Sequence, residues 1–168
     1  MKNIIFFIFL FLIPTIVYSQ NEKRVDSLLV VLGNNEDYIT QINTLNNICL
    51  EYNDNDHAKL KLYNQKILEL SKKYNYDVGL GLYYLNSSRI NSKSNNATES
   101  LKFSKKAAAI FKKNKNTGNY LNAIIKVSSD YIAVDSAKEG KSILKENLKL
   151  ALKYKDNDIW RKNWVSKS

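Results

Sequence analysis

The sequence predicts an all-α fold, an α-solenoid of about three helical hairpins preceded by one leading helix. Three observations carry this expectation. Chain breakers are scarce, with one Pro and five Gly in 168 residues, and Lys, Leu, Ile and Ala are plentiful, which favours helix over sheet. A two-part phrase recurs: a helical segment at 97–114, a break at Lys115-Asn116-Thr117-Gly118, and a second segment at 119–131. The same phrase runs earlier over 58–91 and starts again at Ala137. Finally, the small residues Cys49, Ser88 and Ser128 recur at intervals of about 40, a helical-repeat spacing.

Residues 1–19 carry the pattern of a signal peptide. Lys2 supplies a positive start, residues 4–13 form an unbroken apolar run, Pro14 ends it, and Val17 and Ser19 suit a signal peptidase. The run is short for a membrane span, which takes about 20 residues. The expectation is an exported protein, periplasmic or extracellular, with no stable membrane span after cleavage; an uncleaved N-terminal anchor is the alternative. No Cys stands at the cleavage point to take a lipid.

Val25, Leu28, Leu29 and Leu32 mark one apolar face of a leading helix over 22–34, which Gly33-Asn34 ends. The repeat domain is expected over 37–155. Ile39, Ile42, Leu45, Ile48 and Cys49 give the next helix its inner face, and the polar run 53–56 stops it. Asp56 is placed to accept hydrogen bonds from the free N–H groups of the following helix. That helix turns Leu60, Tyr63, Ile67 and Leu70 inward, and Asn75-Tyr76-Asp77 leads to another over 78–91. Asn96 with Glu99, and Ser136 with Glu139, have capping-box spacing at later starts. Residues 156–168, with Trp160 and Trp164 four apart, predict an incomplete helix or a frayed tail.

Cys49, Ser88 and Ser128 fall on the first helix of each hairpin. Leu60 or Lys61, Ser100 and Gly140 stand opposite on the second. Small residues at these points let antiparallel helices approach closely. Leu45, Tyr84 and Ile124 on one side, and Leu70, Ile110 and Leu150 on the other, are expected to fill the seam. In these features, and best in the phrases 45–52 and 99–107, the chain resembles a tetratricopeptide repeat (TPR) protein over about 37–154. The repeat exceeds the common TPR length of about 34 residues, and a longer second helix is expected to absorb the difference. An aromatic at the usual place in the first helix occurs only as Tyr84. Other α-solenoid types remain open.

Chemistry is hard to place on this sequence. Cys49 is the only cysteine and His57 the only histidine. Cys49 occupies a packing position of the repeat, so it is expected to be a buried thiol without a catalytic role. Asp54-Asn55-Asp56 opens like a calcium loop, but Lys59 and Gln65 stand where Gly and Glu are needed. Gly79-Leu80-Gly81 lacks the third Gly or the Lys of a phosphate loop. No catalytic residue, metal ligand or cofactor is therefore expected. The net charge of +10 is spread over every helix and is expected to be a solvated lysine coat rather than a nucleic-acid surface.

What remains is the concave wall that the first helices of such arrays present. Resemblance to TPR proteins implies ligand-facing positions at Asn43, Asn46, Asn86, Arg89, Asn122 and Ser129, suited to an extended peptide. Leu50, Leu85 and Ile125 break the pattern by which some TPR proteins clamp a terminal carboxylate. The expected function is a non-catalytic protein-interaction or sensory module with a protein or peptide partner. The alternative is a truncated remnant of a longer TPR-containing sensor histidine kinase or transcriptional regulator, with no independent activity.

Overall fold

The computed structural model describes residues 22–54 and 56–156 of the chain. The signal-peptide pattern of 1–19 and the Trp160/Trp164 pair lie outside the described residues. Among the described residues seven helices follow one another: α1 (22–33), then α2 (Tyr38–Tyr52), α3 (His57–Lys73), α4 (Asp77–Lys93), α5 (Ala97–Lys113), α6 (Thr117–Ala133) and α7 (Ala137–Asp156). No strand occurs among the described residues.

One turn, used four times, sets the length of the helices. Asn75, Asn95, Lys115 and Asp135 adopt left-handed backbone with φ of 50°, 57°, 54° and 58°. Asn and Asp tolerate that region because their short polar side chains bond locally. The residue after each of them donates its N–H to a carbonyl five residues back: Tyr76 to Ser71, Asn96 to Asn91, Asn116 to Phe111, and Ser136 to Tyr131, at 2.8–2.9 Å. This closes the helix end by satisfying carbonyls that have no helical partner. The chain then starts again at once. Asn96 accepts from the Glu99 N–H, Asn116 from that of Asn119, and Asp56 from that of Lys59.

Because the same turn recurs, α3, α4, α5 and α6 are each 17 residues long. The second helix is the longer in two hairpins, 17 against 15 residues in α2–α3 and 20 against 17 in α6–α7, while α4 and α5 share the extra residues equally. Helix limits shift for the same reason. α4 starts at Asp77 and runs to Lys93 rather than 78–91. The break before α6 covers 114–116, and Gly118 lies inside the first turn of α6.

Each helix packs on the next, and α4 also touches α2 and α6. The alternate helices α2, α4 and α6 thus lie side by side as one wall, with α3 and α5 behind them. The small-residue seam falls where the sequence places it. Cys49 Sγ lies 3.8 Å from the Leu60 carbonyl, Ser88 Oγ lies 3.1 Å from Ser100 Oγ, and Ser128 Oγ donates to the Gly140 carbonyl at 2.9 Å. All six residues are buried. A Cβ at Gly140 would sit 2.7 Å from the Ser128 carbonyl oxygen, so only Gly fits there.

Around the seam, Ile42, Leu45, Ile67, Leu85, Phe111 and Val127 belong to one apolar core. Leu45 and Ile124 are buried and Tyr84, Leu70 and Ile110 half-buried, but Leu150 is exposed, contrary to expectation. No helix among the described residues covers its side of α7. Rings fill the outer junctions: Tyr38 stacks on Tyr74 at 4.5 Å, and Tyr52 on Tyr63 at 5.8 Å. Gly79 and Gly81 have packing roles here. An added Cβ would meet Ser71 Oγ at Gly79 and, at Gly81, the Phe111 ring 2.6 Å away.

Candidate functional site

The wall built by α2, α4 and α6 carries the six positions singled out above, and the structure divides them. Asn43 on α2 and Asn122 and Ser129 on α6 are exposed. Asn46 on α2 and Arg89 on α4 are half-buried, and Asn86 on α4 is 0 % exposed. Asn86 therefore does not face a ligand directly. It donates to Asn46 Oδ1 at 3.0 Å, tying α4 to α2, and accepts from the Arg89 guanidinium at 2.6 Å. Asn46, Asn86 and Arg89 form one connected group, while Asn43, Asn122 and Ser129 have no side-chain hydrogen bond to it.

Arg89 is the unusual member. Burial holds its pKa below the ordinary guanidinium value, with the nearby Cys49 thiol acting the other way. Among the described residues no carboxylate lies within ion-pair distance of it. A guanidinium offers five N–H donors in a planar fork, and Asn86 takes one nitrogen. A charge withdrawn from water without an opposite charge is costly, so the site is electrostatically prepared for an anion. Leu85 beside it is buried in the core, and Ile125 is exposed on α6. Elsewhere, an open cleft of about 440 Å³ runs between α1 and α2, lined by Lys23, Ser27, Leu28, Asn47 and Leu50, and crossed by the 3.0 Å Arg24–Glu51 pair.

No family model matches the chain, and neither a curated protein nor a solved structure is detectably similar to it. What the arrangement does must be argued from its own side chains.

A second polar group joins three helices. Asp130 of α6 is 1 % exposed. Its Oδ1 accepts from Ser100 of α5 at 2.6 Å, its Oδ2 from Ser88 of α4 at 3.2 Å, and Lys126 Nζ pairs with it from one turn earlier. Lys126 also donates to Ser100 Oγ at 3.2 Å. A lysine next to a serine can serve nucleophilic catalysis. Here both hydroxyls are completely buried, so no substrate reaches them, and the group works as a clasp. The repeat pattern marks Ser88 and Ser100 as spacers but does not reveal Asp130 and Lys126 as their partners. The available signal was the four-residue spacing of Lys126 and Asp130, which sets opposite charges one turn apart on one face of α6.

Cys49 and His57 are not brought together as a dyad. The Cys49 thiol points at the Leu60 carbonyl, and His57 Nε2 lies 3.4 Å from Ser94 Oγ. Burial pushes the Cys49 pKa up from 9.0 to about 12, partly offset by Arg89. The unfolded chain then releases this proton first as pH rises. The thiol's contribution to stability is full below pH 9.0 and is lost as pH climbs toward about 12. In urea titrations, Cys49→Ala should show a shallower loss of stability over that range than the wild type. Equal slopes would place the thiol in water.

Proposed function

We propose that the chain is a non-catalytic protein-interaction or sensory module of TPR-like repeats, exported from the cell, that takes a peptide or protein segment on the α2–α4–α6 wall. The observation that carries this reading is the half-buried Arg89 guanidinium, held by Asn86 and without an acidic partner among the described residues. Its natural complement is an anionic side chain or terminus of the bound segment, with Asn46 beside it for a peptide amide. The exposed Asn43, Asn122 and Ser129 extend the polar surface along the wall. Export is supported by the apolar run and small residues of 1–19. No helix of the described residues is long and apolar enough to cross a membrane.

Arg89→Gln tests the reading. Binding to an array of ten-residue peptides is measured for both proteins, each peptide with and without Asp or Glu. Loss of a charged hydrogen bond removes about 1.5–3 kcal/mol, so acidic peptides should bind roughly 10- to 100-fold more weakly to the variant. The thermal midpoint should hold or rise, because an uncompensated charge has left a half-buried site. Peptide binding indifferent to Arg89, or a variant that merely unfolds, contradicts the proposal.

A further inference from the structure

A packing position that is filled in the earlier repeats stands open on α7. Asn64, Ser104 and Leu144 are 40 residues apart, on α3, α5 and α7 in turn. Asn64 is covered by the helix that follows it, donating to the Tyr83 carbonyl and to Ser87 Oγ of α4. Ser104 is 0 % exposed. Leu144 is 42 % exposed, and with Leu148 at 54 % and Leu152 at 55 % it forms an open apolar stripe at i, i+4 and i+8. One step around the helix run Lys141, Lys145 and Lys149, all exposed.

Many lysines on the other helices are engaged, although among the described residues Lys61, Lys72 and Lys112 are not. Lys66 lies over the Tyr63 ring, Lys105 over Tyr131 and Lys106 over Tyr84, while Lys102 pairs with Glu99 and Lys113 with Asp77. Among the described residues, Lys141, Lys145 and Lys149 have neither a carboxylate nor a ring.

We propose that the Leu144–Leu148–Leu152 face docks an acidic amphipathic helix of another polypeptide. The stacking already present in the molecule defines the shape of the occupant, since the equivalent position of α3 is closed by a helix. The leucine stripe takes apolar residues at i and i+4 of the incoming helix, and the lysine row takes its flanking Glu or Asp. A second copy of this chain fits poorly, because it would bring an identical lysine row and a net charge of +10 to the same face. This surface is separate from the Arg89 wall.

The probe is a fluorescein-labelled 17-residue helical peptide with Leu at i, i+4 and i+8 flanked by Glu, titrated with the full chain and followed by anisotropy. A matching peptide with Lys in place of Glu serves as control. The Glu peptide should bind at least about tenfold more tightly than the Lys peptide, and less tightly as salt screens the charges. The double variant Leu144→Glu/Leu148→Glu should lose about tenfold or more while keeping its unfolding midpoint, because both side chains are exposed. Equal binding by the double variant overturns the proposal. So does binding that appears only in Trp160→Ala/Trp164→Ala, which would assign the face to the chain's own C-terminal segment. A dimer in sedimentation that the double variant dissociates, or capture by anionic lipid vesicles without peptide binding, likewise overturns it.

Discussion

Lys126→Met should lower the unfolding free energy by about 3–5 kcal/mol, the usual cost of leaving one member of a buried ion pair alone. Domains of this size are stable by only about 5–15 kcal/mol, so the variant should unfold at far lower urea. The cost comes from Asp130, which keeps Ser88 and Ser100 as donors but loses the charge opposite its own. A second substitution distinguishes this from lost lysine packing. In Lys126→Met/Asp130→Asn the carboxylate is gone, and an amide at that place can still accept from one serine and donate to the other. The double variant should therefore be more stable than Lys126→Met alone. If adding Asp130→Asn makes matters worse by the sum of the two single effects, the pair is not coupled and the clasp does not exist.

Phe111→Ala should cost a similar amount, about 3–5 kcal/mol, for a different reason. Phe111 is 0 % exposed and its ring rests where a Cβ on Gly81 would be. The ring fills space that α4 has cleared, so its removal leaves a cavity that the glycine backbone cannot refill. Phe111→Leu should cost less, since it keeps most of the volume. Equilibrium urea unfolding checks both. A loss below about 1 kcal/mol for Phe111→Ala would mean that the ring is solvated and the α4–α5 contact is loose.

Much of this architecture was legible in the sequence because its determinants are local. Apolar spacing marks the helices, and the small residues Ser88, Ser100, Ser128 and Gly140 mark where one helix crosses the next. Their burial, and the contact of each pair, follow directly from that pattern. The turn was less legible. Asn75, Asn95 and Asp135 are ordinary left-handed residues, but Lys115 occupies the same conformation with no local signal for it, and Gly118 drew the helix limit away from its place. The repeat supplies the missing information, since the N–H bond from Asn116 to Phe111 copies the one from Asn96 to Asn91.

The site was harder still. The resemblance to TPR proteins places Asn46, Asn86 and Arg89 among six positions on the wall without separating them from Asn43, Asn122 and Ser129, because burial depends on neighbours 40 residues away. Asn86 reaches Asn46 across exactly that separation, from α4 to α2. Asp130 was missed for a related reason. A charged residue in a lysine-rich chain is assigned to solvent by default, and only the approach of α4 and α5 encloses it.

The most direct measurement of the packing is a pair of disulfide tests in a Cys49→Ser background. Ser88 and Ser100 bring their side-chain oxygens within 3.1 Å, whereas Ser87, one residue away, is turned to Asn64 of α3. Ser88→Cys/Ser100→Cys should oxidise readily to an intramolecular disulfide, and Ser87→Cys/Ser100→Cys should stay reduced under the same conditions. The opposite result, or only intermolecular bonds in both, would contradict the stacked arrangement of α3, α4 and α5.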